Sequence, residues 1–168
     1  MANSTSIRCL ILACGNTLRG DDGVGPWLAD WIEQRFRAGS GIRVISRQQW
    51  MPELAEDIAQ AHSVIFIDSS ASAAPGSVSL VPVEAAAPGS AIATHHLSAP
   101  ELLALALEFY GAAPQNACLL TVGAGSTELG EQFSEAVNDA LPAACGVLQS
   151  TALCLLCGLN FLEIPQRA

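Results

Sequence analysis

The run Val64-Ile65-Phe66-Ile67 is apolar at every position and stops at a carboxylate, Asp68. A strand of that kind has no face to offer water, so it must lie inside a sheet that helices cover on both sides. The rest of the chain supplies the partners. Arg8–Cys14 reads as a second buried strand, Ile42–Ile45 and Cys118–Val122 as two more, and Val78–Val83 as an extra one. Between them, Val24, Trp27, Leu28, Trp31 and Ile32 fall at helical spacing, with Pro26 in the first turn and both tryptophans expected to be buried. Pro52 opens a helix with Leu54, Ala55 and Ile58 inward. Ser98 and Glu101 form a capping-box pattern ahead of Leu102, Leu103, Ala106, Phe109 and Tyr110, and Gly111 is the stop. Ser134 begins a last helix through Val137, Leu141, Ala144, Leu148 and Leu155, which Pro142 should bend or shorten. Strands alternating with helices predict a three-layer α/β/α fold with a mainly parallel sheet. One domain over residues 1–168 is expected, with residues 1–6 and 163–168 as loose termini.

Composition excludes several functions. Hydrophobic residues make up 51% and charged ones 14%, which suits a dense core. Sixteen acids face seven arginines and no lysine, for a net charge of −9, so the basic footprint of a nucleic-acid binder is missing. No uninterrupted apolar run approaches the ~18 residues of a membrane span. Leu10-Ile11-Leu12-Ala13-Cys14 imitates a lipoprotein cleavage site, but the apolar stretch is shorter than the ~7–15 residues a signal peptide needs. A cytoplasmic protein without membrane or nucleic-acid partners is the expectation. The six cysteines sit in apolar runs, where cysteine acts as a small hydrophobe. Cys154 and Cys157 form a CxxC with no second pair, which reads as buried helix packing rather than a zinc site.

In such a fold, ligands bind outside the carboxyl ends of the strands. Three places qualify. The first is Gly15-Asn16-Thr17-Leu18-Arg19-Gly20-Asp21-Asp22-Gly23, between the first strand and the first helix. It lacks GxGxxG spacing, and its paired carboxylates would repel a pyrophosphate. One aspartate suffices as an N-cap, which leaves the other unexplained. The second is Asp68, either a cap for the following loop or a carboxylate that needs a partner or a metal. The third is Thr94-His95-His96, just before the helix at Ser98. Two aspartates and a histidine converging from these loops would suit a divalent transition metal, nickel or zinc. His62 falls at the opposite end of the sheet. There is no GxSxG elbow, HExxH or Cys–His–Asn set, and Cys14 lies inside the first strand and reads as inert. Hydrolysis here would rest on carboxylates or a metal.

The opening motif, continued through Val24-Gly25-Pro26, resembles that of the nickel–iron hydrogenase maturation endopeptidases. Val64–Asp68 and Thr94-His95-His96-Leu97 are similar to that family's second and third sites, in order. Gln48–Glu56 resembles the branch serving bidirectional, NAD-reducing hydrogenases, and Gly125–Glu131 is familiar from the same relatives. The likeness runs roughly from Arg8 to Leu148. It implies that Asp22, Asp68 and His95 are the metal ligands and the catalytic set, with no separate nucleophile. Asp21 is then the likelier cap, and His95 rather than His96 keeps the family's distance to Glu101. Substrate-facing positions would be Asn16, Gln48 and Gln49. Many relatives carry Asp-Gly-Gly where this chain has Arg47-Gln48-Gln49, a departure that bears on which large subunit is selected.

The resemblance further implies a peptidase that trims the C-terminal extension of a hydrogenase large-subunit precursor. Its nickel would be carried in by that substrate, and another divalent cation could occupy the site in isolation. Two rivals share parts of the pattern. A non-catalytic nickel metallochaperone or assembly scaffold would keep the ligands and lack cleavage. A nucleotide-binding module would need the absent phosphate fingerprint.

Overall fold

The structure is a computed structural model that describes residues 7–37, 39–87 and 97–160. The expectation of loose termini, like the histidine pair, falls on residues outside these ranges. In chain order the elements are β1 (Ile7–Cys14), a 3-10 turn (Gly20–Gly23), α1 (Val24–Glu33), β2 (Ile42–Arg47), α2 (Leu54–Ala59), β3 (Ala61–Ser70), β4 (Val78–Pro82), α3 (Ala99–Tyr110), β5 (Asn116–Gly123) and α4 (Glu135–Leu156).

The strands form one sheet in the order β2-β1-β3-β5-β4, parallel except for β4, which runs antiparallel along β5 at the edge. β1 and β3 are interior strands, which explains why Leu10, Ile11, Val64, Ile65, Phe66 and Ile67 are all fully buried. Alternation along each strand sends Ile11, Ile65 and Ile67 toward α1 and α4, and Leu12, Val64 and Phe66 toward α2 and α3. The mainly parallel three-layer sandwich read from the sequence is the one observed.

Three expectations differ from the structure. Trp27 stays 37% exposed, because α1 turns Gly25, Pro26, Leu28, Ala29 and Ile32 inward instead; Trp31 is only half-buried. The buried stripe is thus rotated toward the small residues, which let α1 lie close to the sheet. Cys157 is exposed just past the end of α4 and Cys154 is half-buried, so the CxxC is not a buried packing pair. All six cysteines are free thiols. Pro142 does not interrupt α4, which runs 22 residues. By length and hydropathy alone that helix is apolar enough to cross a membrane, although its inner stripe of Val137, Ala144, Leu148, Ala152 and Leu155 packs into the core here.

Chain direction creates the site. From β1 the chain passes through α1 on one face to β2, then through α2 on the other face to β3, on the far side of β1. Such a switch leaves a crevice between the carboxyl ends of β1 and β3.

Candidate functional site

β3 delivers Asp68 to that crevice. Phe66 and Asp68 share a face by alternation, and the register pairs Asp68 with Thr121 of β5. Ala13 pairs with Ile67, so the next step along both strands sets Cys14 beside Asp68. Cys14 is therefore the last residue of β1, half-buried at the crevice, rather than hidden within the strand. Its thiol donates to the Gln48 carbonyl at 3.5 Å.

Asp22 reaches the same place from the 3-10 turn. Its Oδ2 accepts the Asn16 backbone N–H at 2.8 Å and its Oδ1 accepts the Ser69 hydroxyl at 3.0 Å. Ser69 also donates its backbone N–H to Asp68 Oδ1 at 2.8 Å, so one serine links the two carboxylates. Sequence reading missed Ser69; its only signal was its position directly after Asp68. Glycine makes the approach possible. At Gly15, with φ of 142°, a side chain would collide with the Asp22 carbonyl oxygen. At Gly25 it would collide with the Cys14 carbonyl, so only glycine lets α1 begin directly over the strand ends.

Electrostatics follow from this crowding. Burial pushes the Asp68 carboxyl up to about 6; the Ser69 N–H opposes that rise and the negative Asp22 adds to it. Burial, then the charges of Asp68 and Asp22, drives the Cys14 thiol up to about 12, so it is no nucleophile near neutral pH. A half-buried carboxylate beside a second one is an arrangement that a cation relieves.

Asp21 is not the cap of α1. The N-cap of that helix is Gly23, which offers no side-chain bond, while Asp21, fully buried, reaches across the molecule. Its oxygens accept Gly125 N–H at 2.7 Å, Ser126 N–H at 3.0 Å, and both the N–H and the hydroxyl of Ser134 at 2.7 Å. Burial opposes its charge, yet these donors from Ser134, Ser126 and Gly125 outweigh burial and hold the carboxyl below its ordinary range. Ser134 is itself the N-cap of α4, accepting Val137 N–H. Backbone bonds Gly20 N–H to Gly130 O and Gly130 N–H to Leu18 O complete a clasp between the two loops.

Among the residues expected to face substrate, Asn16 uses its side-chain oxygen to accept Leu18 N–H within the turn. Gln48 and Gln49 are exposed in the loop after β2. His95 and His96 lie outside the described residues. Among the described residues, no group of three or more His, Cys, Asp or Glu is arranged to hold a metal ion.

Fold and site define a doubly wound α/β protein with an acidic crevice at its topological switch point. No family profile matches the chain. The hydrogenase expression/formation protein HupM of Azotobacter chroococcum is 28% identical over 96% of this chain and 78% of its own length. The hydrogenase maturating endopeptidase HybD of E. coli superposes with a TM-score of 0.70 at 25% identity, covering 87% of this chain and 91% of that one. The nickel–iron hydrogenase maturation protease HycI of Thermococcus kodakarensis gives 0.64 at 25% identity, covering 90% and 94%. In sequence and fold together, the chain is similar to proteins of hydrogenase maturation, in line with the family its opening motif resembles.

Proposed function

We propose that this protein is a cytoplasmic endopeptidase that removes the C-terminal extension of a nickel-loaded hydrogenase large-subunit precursor. One observation carries the reading: Asp22 and Asp68 both bond to Ser69 at the switch point of a fold shared with hydrogenase maturation proteases. Asp22, Asp68 and His95 would form the ligand set, and Gln48, Gln49 and Asn16 would line the approach. The nickel arrives as part of the substrate and offsets the repulsion between the two carboxylates. A precursor without nickel offers no such compensation, so the metal acts as a checkpoint on maturation. The segment Gln48–Glu56 favours a bidirectional, NAD-reducing hydrogenase as the client.

The test adds purified protein to precursor with and without nickel and follows the tail by mass. Trimming of the loaded precursor alone is expected, with loss in Asp22→Asn, Asp68→Asn and His95→Ala. Equal trimming of nickel-free precursor would remove the checkpoint. Nickel retention without any trimming would identify a metallochaperone instead.

A further inference from the structure

Behind the loop that carries Asp22, two adjoining cavities open between α1 and the start of α4. The first, about 520 Å³, is lined by Thr17, Gly23, Trp27, Asp30, Glu131 and Phe133, with others. The second, about 540 Å³, continues along Trp31, Leu141, Pro142 and Cys145, and Trp27 and Asn138 line both. The groove adjoins the loop that carries Asp22, since its lining residues Thr17 and Gly23 directly follow Asn16 and Asp22 in the chain.

Its chemistry is graded. Asp30 and Glu131 line the end nearest the crevice, and no arginine lines either cavity among the described residues. Trp27 stands edge-on to Phe133, with ring centroids 6.3 Å apart, yet leaves 37% of its surface to solvent. Trp31 already carries the Arg35 guanidinium 3.5 Å from its ring centroid, while Trp27 has no such cation among the described residues. An exposed indole in a cavity that two carboxylates also line favours a cationic side chain with an aliphatic stem, through charge, cation–π attraction and apolar contact.

We propose that this groove binds a basic segment of the protein substrate, a lysine or arginine at Asp30 and Glu131 and an aliphatic residue along Trp27 and Leu141. The proposal rests on the peptidase reading and extends it to a second contact outside the crevice. Complementarity of this kind sets binding more than the chemical step, so its loss should raise KM and spare kcat.

Binding is tested on the intact protein with an acetylated five-residue peptide alternating leucine or valine with lysine or arginine. The control peptide carries glutamate and aspartate in place of the basic residues. The basic peptide should change tryptophan fluorescence and the acidic one should not, and Trp27→Phe should remove the change. Asp30→Lys with Glu131→Lys should weaken binding at least tenfold, and the neutral pair Asp30→Asn with Glu131→Gln should fall between. Equal binding of both peptides, or unchanged affinity in the charge-reversed protein, overturns the proposal. So does a dimer that Trp27→Ala dissolves, since the groove would then hold a second copy of the chain.

A cleavage arm separates the two readings. If wild type trims nickel-loaded precursor and the charge-reversed protein does so with the same KM, the groove assignment fails while the peptidase stands. If the basic peptide binds as expected but wild type never trims, the peptidase reading fails and the groove remains.

Discussion

Asp21 and Asp22 are neighbours with opposite duties. Asp21 is fully buried and holds four donors from a distant segment; Asp22 meets Asn16 and Ser69 at the crevice. Asp21→Asn places an amide where only acceptors fit, so it should cost roughly 2–4 kcal/mol of stability. Urea denaturation measures that loss, and an unchanged midpoint would contradict the clasp. The fall in activity should then follow unfolding rather than chemistry. Asp68 makes a pH prediction. Its folded-state pKa, raised to about 6 by burial and by Asp22, exceeds its unfolded value of 3.8, so the folded protein binds the extra proton between them. Stability should therefore fall as pH rises from about 4 to about 6, and Asp68→Asn should flatten that slope. Cation affinity should run the other way, rising through pH 6 as the carboxylate ionises; calorimetric titration with nickel at pH 5 and pH 7 checks it. Asp21 has the reverse sign: its depressed pKa adds stability above the ordinary carboxylate range, lost as pH falls through the lowered value.

At the scale of elements, β3 and the α3 cap were legible because local rules decide them. An all-apolar run can only be interior, and Ser98 with Glu101 satisfies the first turn of α3 through Ser98 N–H to Glu101 Oε2 at 2.7 Å. The rotation of α1 was not legible. Helical spacing favoured the large tryptophans, whereas close approach to the strand ends requires Gly25, a requirement set by the backbone of Cys14 rather than by hydrophobicity, and Pro26 and Ala29 are buried on the same helix. Gly25→Ala should accordingly cost about 3 kcal/mol or more and displace Asp22. Thermal unfolding and precursor trimming together test this, and a fully active, equally stable variant would refute the contact. The role of Asp21 was also hidden, since its partners Gly125, Ser126 and Ser134 lie more than a hundred residues away and no spacing rule links them.

For the molecule as a whole, the order of the strands ranks their protection. β1 and β3 are flanked on both sides and covered by two helical layers, while β4 pairs only with β5. Amide exchange should be slowest at Ile11, Leu12, Ile65 and Phe66 and much faster along Val78–Pro82; the reverse ranking would contradict the topology. The clasp between the two loops also bears on synthesis. Asp22 sits in a turn anchored by Gly125, Ser126, Gly130 and Ser134, so a chain still emerging from the ribosome has its first three strands, with the Asn16 and Ser69 bonds to Asp22, but lacks the far half of the clasp. The turn that carries Asp22 thus reaches its full set of bonds only once the chain through Ser134, the cap of the final helix, has left the exit tunnel.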